Sequence, residues 1–64
     1  MFDFMEKLIS LQCNFSETLS CKIFGEAMGS HLFDKFVKAE DNILYFYNSL
    51  DKINRKILIN YIQD

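Results

Sequence analysis

The single histidine is the side chain of this sequence best suited to acid–base catalysis. His31 follows Ser30 directly and precedes Asp34 by three residues, so the residue types of a hydrolytic triad stand close together. All three fall on one helical turn, however, and neighbours on one turn cannot align a nucleophile, its base and an orienting carboxylate. We therefore predict that His31 is an ordinary residue in the first turn of a helix, that the chain has no catalytic residues and that it is not an enzyme.

Metal binding is the second chemistry that the sequence could support, through Cys13, Cys21 and His31. Zinc sites in small domains usually place their ligands in two close pairs. Here the two cysteines are eight residues apart and the histidine follows ten residues later. This spacing predicts no metal site. Because the sequence also lacks a glycine-rich phosphate loop, no cofactor is expected.

The number of cysteines and the N-terminal residues indicate the cellular compartment of the protein. A secreted domain of this size usually carries four or more cysteines, whereas this chain has two. The first residues lack the basic start and the apolar stretch of a secretion signal. We expect a cytoplasmic protein whose thiols, Cys13 and Cys21, are reduced and buried as small hydrophobic groups where helices meet.

The charge balance narrows the class of partner. Seven basic and nine acidic residues give a net charge of −2, far from the strong positive charge of proteins that bind phosphate backbones. No apolar run approaches the roughly 18 residues of a membrane span. We predict another protein or a second copy of the chain as the partner, with nucleic acid less favoured and with no membrane or small-molecule substrate.

Helices are the expected elements, because proline is absent and the 64 residues include only two glycines. Half of the residues are hydrophobic, and they recur at the three- and four-residue steps of amphipathic helices. Residues 1–64 are predicted to form a single all-α domain of four to five short helices in a compact orthogonal or bundle arrangement. The first helix is expected at 4–13 behind a cap at Asp3, the second runs from a cap at Asn14 or Ser16 to Gly29, and the third follows Ser30.

The C-terminal half is predicted to hold two further helices after a bend at 40–42. Segment 43–47 has five apolar residues in a row, but a strand would need a partner strand that the sequence does not offer, so a short helix is expected. Asp51 is the predicted cap of the last helix, 52–63. The inward face of that helix should hold Ile53, Ile57, Leu58, Tyr61 and Ile62. The predicted core comprises Leu8, Leu19, Phe24, Phe33, Phe36, Leu44, Phe46, Leu50, Ile57, Leu58 and Ile62.

Gly25 and Gly29 form a G-x-x-x-G pattern, which allows a neighbour to approach closely, and Gly25 is expected in mid-helix for that reason. Segment 24–29 also resembles the first half of a helix-turn-helix, in which a small residue precedes the turn glycine by four. The second half departs from that motif. Lys35 stands where a buried aliphatic residue is typical, and the following helix lacks side chains able to read base edges. The resemblance implies the alternative function, a small DNA-binding regulator.

Two tyrosines and one isoleucine are left over once each helix is given one inward face, and three basic residues cluster on one turn of the last helix. Tyrosine suits an interface, because its ring buries area while its hydroxyl keeps a polar contact. The predicted docking face comprises Tyr45, Tyr47, Lys52, Arg55, Lys56 and Ile59. We predict a non-enzymatic interaction module: a small regulator, adaptor or inhibitor that docks on another macromolecule, including inhibitors of the kind that mobile elements encode.

Overall fold

The computed structural model describes residues 3–63, and within them the chain forms five helices and no strand. The helices are α1 (Phe4–Asn14), α2 (Glu17–Phe24), α3 (Glu26–Lys38), α4 (Ile43–Ser49) and α5 (Lys52–Gln63). α1 packs against α4 and α5, α2 packs against α3 and α5, and α3 also contacts α4. The predicted small all-α fold is confirmed, and segment 43–47 is a helix as expected.

Side-chain caps set the start of four of the five helices. In each case the oxygen of the capping side chain accepts a hydrogen bond from the backbone N–H three residues later, at 2.9–3.1 Å. Such a bond satisfies one of the amide groups that a helix start leaves without a partner. The caps are Asp3, Ser16, Asn42 and Asp51. The predicted caps at Asp3 and Asp51 are confirmed, and of the two predicted alternatives for α2 the cap is Ser16.

At the corner between α2 and α3, the two glycines have the reverse of their predicted roles. Gly25 alone separates the two helices, with φ at +96°, a conformation that side chains resist. Gly29, predicted to end the second helix, lies buried inside α3. A Cβ on Gly29 would lie 2.5 Å from the backbone nitrogen of Cys21, so the two helix backbones touch at this point. Ser30, the predicted cap, is also inside α3, where its hydroxyl donates to Glu17 at 2.6 Å.

The buried apolar side chains come from α1, α3, α4 and α5 and from Leu50, while α2 packs half-buried side chains against them, namely Leu19, Ile23 and Phe24. Phe15, Phe36 and Phe46 form a ring cluster with centroids 4.8–5.6 Å apart. Of the predicted core, six residues are buried, namely Leu8, Phe36, Phe46, Leu50, Leu58 and Ile62. The other five are half-buried, namely Leu19, Phe24, Phe33, Leu44 and Ile57. Three buried residues were missing from the prediction, namely Leu11, Leu32 and Ile43.

The predicted bend at 40–42 is confirmed as a tight turn between α3 and α4. Glu40 and Asp41 both adopt positive φ, at 57° and 58°, which costs residues other than glycine roughly 1 kcal/mol each. The amide of Asp41 donates to the carbonyl of Phe36 at 3.1 Å, so the turn is held by the end of α3. This turn brings α4 back against the core.

Candidate functional site

The residues first considered for catalysis and metal binding are spread over three helices. His31 is exposed in the middle of α3, not in a first turn as predicted, because α3 already begins at Glu26. Cys13 is exposed on α1 and Cys21 is half-buried on α2, and both are free thiols. The prediction that both cysteines are buried is wrong for Cys13. No group of three or more histidine, cysteine or acidic side chains within residues 3–63 could hold a metal ion.

The two tyrosines of the predicted docking face lie in different surroundings. Tyr45 is 68% exposed on the outer side of α4. It lines an open pocket of about 450 Å³ beside the turn from α3 to α4, together with Lys38, Ala39, Glu40 and Asn42. No residue of α5 lines that pocket. Tyr47 is half-buried, and its ring lies 5.5 Å from the ring of Phe4 on α1.

The four predicted docking residues of α5 share one face of that helix. Their spacing of three, four and seven residues from Lys52 places them on neighbouring turns. Lys52 and Lys56 are exposed, whereas Arg55 and Ile59 are half-buried. α5 therefore brings together four of the six predicted residues, while the two tyrosines project from α4.

The inward face of α5 is rotated relative to the prediction. Ile53 was expected to be buried but is 72% exposed, and Tyr61 is 43% exposed. The buried positions are instead those of Asn54, Leu58 and Ile62. Two rows of residues follow the same four-residue spacing along α5, and the row that faces inward begins with an asparagine. This orientation is the less expected one, because amides are mostly exposed in proteins.

The exposed row is a surface feature that the sequence prediction missed. Ile53, Ile57 and Tyr61 follow one another at four-residue steps along one side of α5, and we call these three residues the α5 stripe. Ile57, in the middle, is half-buried. The signal was present in the sequence as a second apolar row, but only packing could show which row faces solvent.

Open grooves flank both ends of α5. At the C-terminal end, Tyr61 borders a groove of about 590 Å³ with Leu11 and Leu19 on its floor. At the N-terminal end, Asn54 borders a groove of about 260 Å³ with Met28 and Leu32. Because Tyr61 belongs to the α5 stripe, a partner lying along the stripe would meet further apolar surface at its C-terminal end.

Three cations, Lys52, Arg55 and Lys56, lie in the first half of α5, and we call them the α5 cations. The segment 52–63 contains no carboxylate. None of the three side chains forms an ion pair or hydrogen bond with another of residues 3–63. The ion pair found among those residues joins Lys38 to Asp34 on α3, at 2.9 Å. The helix dipole is positive at the N-terminus, where cations are unfavourable.

In the part of the chain that the structure describes, no helix is both long and apolar enough to cross a bilayer. Comparisons with protein-family models, with curated proteins and with solved structures find no match for this chain. The chemistry of the α5 surface is therefore the basis for a functional assignment.

Proposed function

We propose that this chain is a non-enzymatic interaction module that docks on another protein through α5. The observation that carries the proposal is the exposure of Ile53, at 72%, within a continuous apolar row on a helix. Burying an isoleucine side chain is worth about 1.5–3 kcal/mol, and this fold leaves that gain unused. A cytoplasmic regulator, adaptor or inhibitor would gain this free energy by burying Ile53 against the surface of its partner.

The layout of α5 supports docking on a protein. The α5 stripe extends about 12 Å along the helix axis, at roughly 1.5 Å per residue. Helix-in-groove complexes use apolar anchors spaced by three or four residues in this way. Lys56, three residues after Ile53, borders the stripe on one side, and interfaces commonly combine an apolar centre with a polar rim.

A small DNA-binding regulator is the second candidate, favoured by the unpaired α5 cations. Three cations on one helix can contact phosphates, and such binding weakens steeply with salt. Two observations give it less support than protein docking. The net charge is −2, and Gly29, where the helix-turn-helix resemblance places a turn, lies inside α3. Salt-sensitive retention on heparin or duplex DNA would favour this second candidate.

The test compares Ile53→Asp with Ile9→Asp in a capture experiment. Both isoleucines are exposed, on α5 and α1 respectively, so both variants should fold. The immobilised chain is incubated with an extract of its native host, and retained proteins are identified by mass spectrometry. We expect one partner to be retained at high salt by the parent and by Ile9→Asp, and lost with Ile53→Asp. Equal retention by Ile53→Asp, with helicity intact, would refute docking through α5.

A further inference from the structure

We infer that α5 binds an acidic amphipathic helix, whose apolar row packs on the α5 stripe and whose carboxylates face Lys56 and its neighbour Lys52. The inference rests on the proposed function and specifies the chemistry of the partner. It depends on three observations: the spacing of the stripe, the absence of carboxylates from segment 52–63 and, beside the stripe, a Lys56 side chain that is unpaired within residues 3–63.

The spacing of the stripe favours a helical protein partner. Ile53, Ile57 and Tyr61 stand at four-residue steps, and rows with this spacing interdigitate with the rows of another helix at an axis separation of roughly 8–10 Å. A phosphate backbone offers no apolar surface to such a row. Nucleic acid bound here would leave Ile53 exposed, whereas a helix with an apolar row would cover it.

The charges beside the stripe select an acidic partner. Lys56 stands three residues after Ile53, so it borders the stripe at that residue. Lys52 and Lys56 are exposed and form no ion pair within the described part of the chain. The helix dipole also disfavours a cation at Lys52, which starts α5, so the two side chains lack a compensating charge among the described residues. A partner carboxylate opposite them would supply the missing counter-charge.

The same charges disfavour a second copy of the chain on this surface. A symmetric antiparallel pairing of two α5 helices about Ile57 would place the two copies of Lys56 within about one turn of each other. A parallel pairing would set Lys56 beside its own copy. Segment 52–63 has no carboxylate to offset either arrangement, and like charges at an interface are costly.

The probe is a synthetic 18-residue amphipathic helix with a leucine row on one side and glutamate elsewhere, and its twin carries lysine in place of glutamate. Each peptide is titrated into the isotope-labelled chain, and amide shifts are followed by NMR. We expect the acidic peptide to shift amides along 52–61 and the lysine twin to leave them unchanged. Lys56→Glu should weaken the acidic peptide about fivefold, whereas the matched variant Lys38→Glu, beside the distant turn at 40–42, should change it less than twofold.

Several outcomes would overturn the inference while leaving the proposed function in place. These are shifts that map to another helix, no shifts at millimolar acidic peptide, or an unchanged affinity for Lys56→Glu. Stronger shifts on 52–61 with duplex DNA than with the acidic peptide would assign the surface to nucleic acid. A dimer in sedimentation equilibrium that Ile53→Asp dissociates would assign it to a second copy. Failure of the proposed function itself appears separately, as equal partner capture by Ile53→Asp.

Discussion

The hydroxyl of Ser20 donates a hydrogen bond to the carbonyl oxygen of Gly29 at 2.8 Å, at the point where α2 crosses α3. Both residues are buried, and both are small. The lack of a side chain on Gly29 lets the two backbones touch, and the short side chain of Ser20 turns the contact into a bond between helices. A buried hydroxyl without a partner would cost about 1–3 kcal/mol. The bond to Gly29 avoids this cost, so Ser20 both fills the space between the helices and has its hydroxyl hydrogen-bonded.

Gly29→Ala is expected to destabilise the chain by about 3 kcal/mol, because the new methyl group would meet the backbone of Cys21 and not a side chain that can rotate away. Thermal unfolding followed by circular dichroism measures the effect, with Ser30→Ala as the neighbouring control. Ser30 is exposed and loses only its bond to Glu17, so we expect that change to stay within about 1 kcal/mol. A melting temperature of Gly29→Ala within a few degrees of the parent would contradict the close crossing.

Phe36→Ala is expected to unfold the isolated chain. Phe36 is buried in the ring cluster with Phe15 and Phe46, and truncating such a ring costs about 3–5 kcal/mol. The whole stability of a domain this size is about 3–10 kcal/mol.

Tyr45→Ala is the matched control for Phe36→Ala, since Tyr45 is largely exposed and its truncation should change stability by less than about 0.5 kcal/mol. Tyr47→Ala should fall between the two, because the ring of Tyr47 packs on Phe4. Urea titrations of the three variants give this order. A cooperative transition of Phe36→Ala close to that of the parent would show that the core assignment is wrong.

Lys52→Glu and Lys38→Glu are expected to shift stability in opposite directions although both remove the same positive charge. Lys52 is the first residue of α5, where a carboxylate suits the helix dipole, so Lys52→Glu should stabilise by about 0.5 kcal/mol. Lys38 is the last residue of α3 and pairs with Asp34, so its replacement should destabilise by a similar amount.

Melting temperatures at low salt and in 1 M salt test this pair, because screening at roughly 1 M should reduce the difference. If Lys52→Glu lowers stability at low salt, Lys52 stabilises the fold, and a cation at the start of α5 is not unfavourable.

His31→Ala is expected to leave helicity and partner capture within about twofold of the parent, because an exposed side chain in mid-helix contributes little to either. The capture experiment described for Ile53→Asp provides the measurement. A loss of about 100-fold in a functional assay, with the fold intact, is the size of effect that removing a general acid or base produces. It would indicate catalysis by His31.

The starts of α1 and α5 could be predicted because their signals are local. Asp3 and Asp51 bond to an amide three residues away, so both partners lie within one short stretch of sequence. The two glycines could not be assigned in the same way. Gly25 and Gly29 each suit a helix end or a close approach, and the crossing of α2 over α3 decides which glycine takes which role.

The candidate site was predictable only in part, for a similar reason. The α5 cations are visible as a cluster in the sequence, and their shared helix face follows from helical spacing. Ile53 and Leu58 belong to two apolar rows that periodicity alone cannot rank. The contacts of α5 with α1 and α2 turn Leu58 inward and leave Ile53 in solvent, and those contacts depend on residues far away in the chain.

The single-residue connection at Gly25 has a consequence for the order of folding. α2 and α3 are neighbours along the chain as well as in space, so bringing them together closes only a very short loop and costs little chain entropy. α5 packs on α1 and α2, across long stretches of intervening chain, and such distant contacts form more slowly. We expect the α2–α3 corner to form early and α5 to join last. For the same reason, we expect the amides of α5 to exchange hydrogen faster than those of the α2–α3 corner in the native protein. The helix proposed to bind a partner would then also be the helix that binding stabilises most.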